Sequence, residues 1–249
     1  TQESTVMNTQ AQTTSTSTIA QEHAMTTTPV PTASEYNSLI ENPTPRCACM
    51  VVLDTSGSMD GAPIAQLNAG IQTFVQALQQ DDMAACSVEV GLITAGGRVT
   101  ELLPFTTAMA VDHIAPVYAT GGTPLGEAVS LALRRLEERK QQYKKNGVSY
   151  YQPWLMIISD GAPTDHWESA ARQAYEQSAG RKLVVLPVAV NGADLGTLGQ
   201  FSAKGALPLE GLRFQELFQW LSASMVRVSA SASTSASVQL PARDSWASI

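Results

Sequence analysis

The runs CMVVLD at residues 49–54 and WLMIISD at residues 154–160 constrain the fold more than any other feature of the chain. Each is continuously apolar, so a strand built from it must be covered on both faces, and each then hands an aspartate to the loop that follows. Strands buried on both sides belong in the interior of a sheet. Around them lie segments with helical period. Ile64, Leu67, Ile71, Phe74, Val75 and Leu78 follow an entry at residues 60–62 and Pro63, and Leu125, Ala128, Val129, Leu133 and Leu136 follow Pro124.

The rest of the chain continues the alternation. CSVEVGLI at 86–93 reads as a strand, and RVTELLPF at 98–105 as a second one paired with it across Gly96 and Gly97, a turn short enough to require antiparallel pairing. Residues 165–177 form a plausible helix, and KLVVLPVAV at 182–190 a strand in which Pro187 argues for a bend or a bulge. A short turn or helix at 194–201, a brief strand at ALPL (206–209), and a last amphipathic helix carrying Phe214, Leu217, Phe218, Leu221 and Met225 complete the pattern. Strands alternating with helices imply an α/β fold: a doubly wound, mostly parallel central sheet with one antiparallel edge strand, helices on both faces and right-handed crossovers. Ligands of such sheets collect beyond the carboxyl ends of the strands, where Asp54 and Asp160 fall.

The 249 residues divide by composition into a Thr/Ser/Gln-rich leader at 1–45, a folded domain at 46–228 and a Ser/Ala-rich tail at 229–249. The leader contains Pro29, Pro31, Pro43 and Pro45 and no sustained apolar period, so disorder is expected there, with docking on a partner or on the domain as the alternative. The tail reads as a linker, with Leu240, Pro241 and Trp246 as candidate anchors back onto the domain. A net charge of -7 argues against nucleic-acid binding, which needs a basic surface. Cys47, Cys49 and Cys86 are odd in number and lack zinc-ligand spacing; buried thiols and a reducing compartment are the expectation. No run is long enough to cross a membrane, and the opening residues have neither the basic start nor the apolar core of a secretory signal, so a cytoplasmic protein without membrane insertion is expected.

The chemistry gathers at the strand ends. In Asp54-Thr55-Ser56-Gly57-Ser58 a carboxylate and two hydroxyls alternate, so a tight turn can aim all three at one centre. Thr120-Gly121-Gly122-Thr123-Pro124 adds a hydroxyl where paired glycines permit close approach and Pro124 starts a helix. Ser159-Asp160-Gly161 adds a second acid. Oxygen donors of this kind suit a hard divalent cation: Mg2+ by abundance and oxygen chemistry, Ca2+ or Mn2+ as alternatives. Because the hydroxyls are neutral, the ion keeps enough charge to attract one more carboxylate.

DTSGSM, TGGT and ISDG, in that order, resemble the three-part ion site of von Willebrand factor A domains, the metal-ion-dependent adhesion site. The resemblance implies that Ser56 and Ser58 bind the ion directly, that Asp54 and Asp160 act directly or through water, and that Thr123 enters or leaves the inner shell. It also implies a protein partner supplying an Asp or Glu. A narrower resemblance, carried by CMVVLDTSGSMDGAPIAQLNAG, YYQPWLMIISDGAPTDHWESAA and FQELFQWLSASM, is to bacterial cytoplasmic A-domain proteins of tellurium resistance and stress response, the TerY-like group. It implies a metal-dependent scaffold associated with a kinase and a phosphatase.

Competing readings attach to single residues. His113 and His166 follow Asp112 and Asp165 and suit either acid/base chemistry or plain surface capping. The chain has no GxSxG elbow, no phosphate-binding Walker loop and no paired-histidine metal motif, so it is expected not to be an enzyme. A metal-dependent phosphoryl-transfer activity is the distant alternative, weakened by Ser56 standing where a second acid is wanted. Tyr151, Trp154 and Trp220 suit interface anchors or packing. The basic helix end with Arg134, Arg135, Arg139, Lys140, Lys144 and Lys145 suits either an acidic or phosphorylated partner or a solvated face. Against the metal-gated module stands a constitutive scaffold assembled through its tails.

Overall fold

The computed structural model describes residue 39 and residues 42–247, apart from 161, 162 and 191. The expected disorder of the leader therefore falls largely outside the described residues. The strands are β1 (Cys47–Asp54), β2 (Val88–Gly96), β3 (Arg98–Thr107), β4 (Trp154–Ser159), β5 (Val184–Ala189) and β6 (Leu207–Pro208). The helices are α1 (Ala62–Gln79), α2 (Asp82–Ser87), α3 (Leu125–Lys145), α4 (Glu168–Ala179), α5 (Leu195–Gly199) and α6 (Phe214–Ser229). The six strands form one sheet in the order β3-β2-β1-β4-β5-β6. All pairings are parallel except β2 with β3, which places the one antiparallel strand at an edge, as the sequence pattern implies.

Burial on both faces follows from the continuous apolar runs. Cys47, Cys49, Val51 and Leu53 of β1 pack under α1 and α6, while Ala48, Met50 and Val52 pack under α3 and α4. The two thiols on one face are buried and unbridged, and Cys47 Sγ lies 3.7 Å from Met225 Sδ. Burial pushes the Cys47 thiol up to about 12, which keeps it protonated and inert.

Several local expectations change. The strand expected at 86–93 starts later: Asp81 accepts from the Ala84 backbone N–H at 2.8 Å and caps α2, so Cys86 is helical and β2 runs on to Gly96. The strand at Pro187 neither bends nor bulges, because β4 and β5 stay in continuous register from Trp154↔Val184 to Ser159↔Ala189. Val184 and Val190 donate toward β4, and the Ala189 carbonyl accepts from the other side. Position 187 therefore turns its missing N–H toward β6, which pairs only from Val188 onward.

The end of α3 expected to be solvated is partly core. Glu89 is fully buried and is bound by Arg139 through Nε at 2.6 Å and Nη2 at 2.8 Å, by the Tyr143 hydroxyl, and by Arg46 at 3.6 Å. Burial opposes the Arg139 charge, but the Glu89 carboxylate outweighs it and raises the arginine's pKa. Arg135 pairs with Glu101 and Glu138, and Lys140 with Glu137.

Tyr151 and Trp154 are core residues rather than exposed anchors. The Tyr151 hydroxyl donates to the Ser229 carbonyl at 3.1 Å, and the Trp154 ring lies 6.3 Å from that of Trp220. The chain after α6 returns to the domain. Trp220 Nε1 donates to the Pro241 carbonyl at 2.9 Å, Trp246 is fully buried against Trp220, and Ala247 bridges Leu209 beside the end of β6. No helix among the described residues is long and apolar enough to cross a membrane.

Candidate metal centre

The chain leaves β1 toward β2 on one side, and leaves β4 toward β5 on the other, so the sheet has its switch point between the carboxyl ends of β1 and β4. Crevices open at such points because successive crossovers diverge. Leu53 is paired with Ile158, which brings Asp54 and Ser159 side by side at that end.

Asp54 is fully buried, and both its oxygens are engaged. Oδ1 accepts from the Ser56 backbone N–H at 2.9 Å, the short-range turn that aspartate favours, and Oδ2 accepts from the Ser159 hydroxyl at 2.6 Å. The turn passes into a single 3-10 turn, Gly57–Met59, which brings Ser58 to Ser56 and Asp160. Ser56 Oγ lies 3.0 Å from Ser58 Oγ, and Ser58 Oγ donates to Asp160 Oδ1 at 2.9 Å. Four of the five residues singled out in the sequence thus meet in one hydrogen-bonded network spanning two loops.

The fifth, Thr123, is buried, and its hydroxyl makes no hydrogen bond to that network. Its backbone is held beside it. Thr123 O accepts from Leu125 N at 2.8 Å and from Thr164 N at 2.9 Å, and Gly121 O accepts from Gly57 N at 2.9 Å. The glycines serve close approach. Gly121 has φ +62, and a Cβ there would sit 2.5 Å from Gly97 Cα; a Cβ on Gly96 would sit 2.2 Å from the Thr55 carbonyl oxygen. The β2–β3 hairpin tip, the Asp54–Ser58 turn and the Thr120–Thr123 loop are therefore packed backbone to backbone.

Two residues that sequence reasoning passed over also build the site. Ser159 orients Asp54, and only the β1–β4 register shows it. Asp165 accepts from Gly126 N at 3.0 Å and Glu127 N at 2.8 Å, capping α3 just after Thr123. Its neighbour His166 is exposed, in keeping with the surface reading.

Asp160 is half-buried, and its pKa is raised: burial is the largest cause, the Asp54 charge adds to it, and the Ser58 hydrogen bond works against it. The donor set fits a small divalent cation. It is all oxygen, and its neighbouring donors stand 2.9 and 3.0 Å apart. That is the edge of an octahedron with metal–oxygen distances of roughly 2.1 Å. An ion held there would be met by lone pairs of the neutral hydroxyls, whose protons would turn outward from the Ser56–Ser58–Asp160 network.

The von Willebrand factor type A domain model matches residues 49–216. Among solved structures, the chain is similar to a von Willebrand factor type A protein from Catenulispora acidiphila, with TM-score 0.57 and 13% identity over 74% of this chain and 43% of that one. It is also similar to the ArnB paralog VWA2 from Sulfolobus acidocaldarius (TM-score 0.52, 13% identity, 73% of this chain and 46% of that one). A third is the pilus adhesin SpaC from Lactobacillus rhamnosus GG (TM-score 0.59, 11% identity, 74% of this chain and 30% of that one). The chain spans less than half the length of each. No curated protein sequence matches it. The family model spans most of the folded domain, with both strand-end acids inside the match, and leads to one conclusion: the chain belongs to the von Willebrand factor type A domain family.

Proposed function

We propose that this chain is a metal-ion-dependent protein-binding module. One divalent cation, Mg2+ in the first instance with Ca2+ or Mn2+ as alternatives, is held by Asp54, Ser56, Ser58, Thr123 and Asp160, and an Asp or Glu of a protein partner takes the remaining position. The observation that supports this most is the run of oxygens from Ser56 through Ser58 to Asp160, beyond the carboxyl ends of β1 and β4, with Ser58 exposed. Domains of this family commonly mediate protein–protein interaction. Neutral hydroxyls leave the ion electron-poor, and Asp54, with both oxygens already engaged by the protein, donates little charge directly. The same donors offer no activated nucleophile, so the site binds without turnover.

The narrower resemblance of the sequence supports a place in a bacterial cytoplasmic assembly of tellurium resistance or stress response, beside a kinase and a phosphatase. Assembly through the tails has less support, since the C-terminal segment is engaged by its own domain at Pro241 and Trp246.

Thermal unfolding with a Mg2+ titration against chelator tests the ion. Stabilisation of about 2.7 kcal/mol is expected when free metal is 100-fold above its dissociation constant, and Ser58→Ala should lose most of it. Partner capture equal in Mg2+, in chelator and with Ser58→Ala would sink the proposal.

A further inference from the structure

Two exposed side chains beside the ion site are left without a structural task. Arg98 opens β3 and pairs across the hairpin with Gly96. Cross-strand partners share a sheet face, and the Cβ direction at Gly96 runs into Thr55 of the Asp54–Ser58 turn. Its neighbour Val99 packs with the α3 cluster, so the pleat turns Arg98 to the opposite face, the one that bears α1. Arg98 is exposed and makes no ion pair among the described residues. Because Gly97 touches Gly121, the Arg98 Cα lies within roughly 8 Å of the Gly121 Cα.

Tyr118 is 75% exposed, three residues before Gly121. Its loop is pinned, not loose. The Asn68 side chain on α1 donates to Val117 O at 2.9 Å and accepts from Val117 N at 2.8 Å, Gln72 donates to Ile114 O at 3.1 Å, and Thr120 N donates to Thr55 O at 2.8 Å. A large ring offered to water on a fixed backbone has already lost the entropy that binding would otherwise cost.

In the segments that meet here, 54–60, 96–98, 118–124 and 159–160, Arg98 is the sole Lys or Arg beside Asp54, Asp60 and Asp160. With a divalent cation in place the site carries two positive points, the ion and Arg98. We infer that Arg98 and Tyr118 form the specificity rim of the ion site and select a protein segment bearing two acidic side chains. One carboxylate reaches the ion, the second pairs with Arg98, and the apolar part of the segment lies on the Tyr118 ring. This rests on the metal-dependent reading above and adds the chemistry of the partner to it.

The probe is a random dodecapeptide library displayed on phage, selected on the immobilised full chain in Mg2+ and released with EDTA. The expected pool is enriched in peptides with two acidic residues. A synthetic peptide from it should bind Arg98→Glu about tenfold or more weakly, with Arg98→Gln in between, and Tyr118→Ala about fivefold more weakly. All three variants should keep the Mg2+-induced rise in melting temperature, since neither Arg98 nor Tyr118 is among the proposed ion ligands. An EDTA-released pool whose peptides bind Arg98→Glu and Tyr118→Ala within twofold of the parent, or carry a single acid, overturns the rim and leaves the ion site standing. Absence of any EDTA-released pool, with Ser58→Ala behaving as the parent, overturns the metal-dependent reading and the rim with it.

Discussion

Asp160 shows how a half-buried carboxylate beside a second acid costs the fold stability. Burial and the Asp54 charge raise its pKa above the unfolded value, so in the window between the two the folded chain holds more protons than the unfolded one. Stability then falls as pH rises through that window, because the native state must ionise a carboxyl it would prefer to keep neutral. In chelator, denaturant midpoints should decline from the ordinary carboxylate range upward through the raised pKa. Asp160→Asn should flatten that decline, and saturating Mg2+ should flatten it in the parent. A slope identical in parent and Asp160→Asn would show that the titration lies elsewhere. Asp54, Ser56, Ser58 and Asp160 were legible in sequence because alternation within one turn and an acid at a strand tip are local patterns. Ser159 was not, since its bond to Asp54 spans 105 positions and depends on the β1–β4 register.

At the scale of elements, β1, β4, α1 and α6 could be read from apolar runs and helical period, because their burial is written into contiguous residues. The far end of α3 could not. Arg139 and Tyr143 look solvated in a basic helix end, yet both are buried against Glu89, which sits in a different element and gives no sign by itself that it is buried. Two guanidinium groups and a phenol share that one carboxylate, so it supplies negative charge beside both arginines in the core. Glu89→Gln keeps the shape and removes the charge. It should cost about 3–5 kcal/mol, the range for breaking a buried pair, read as a shift in urea midpoint. A change below about 1 kcal/mol would mean that water already reaches the cluster.

The whole molecule closes through its last described residues. Composition reads residues 228–240 as a linker with Leu240, Pro241 and Trp246 as candidate anchors; the Ser/Ala stretch after α6 is largely exposed, and the segment beyond it is fastened at successive points. Arg227 Nη1 donates to Gln239 O at 3.0 Å, Arg213 Nη1 to Ser245 O at 3.2 Å, and Glu210 N to Trp246 O at 2.9 Å. Trp246 extends a line of three indoles through Trp220 to Trp154 at the start of β4. The bridge from Ala247 to Leu209 covers the chain just past β6, which would otherwise leave the short outer strand open to pairing with another molecule. Removal of the ring uncovers Trp220 as well as losing its own burial, so Trp246→Ala should destabilise the domain by about 3 kcal/mol. Truncation after residue 229 should do at least as much and raise self-association, measured by urea unfolding and by light scattering. Ion-induced stabilisation should persist in Trp246→Ala, because the proposed ligands sit at the carboxyl ends of β1 and β4, in the turn after β1 and in the loop before α3. A truncated chain as stable and as monomeric as the parent would return the segment to the status of a linker.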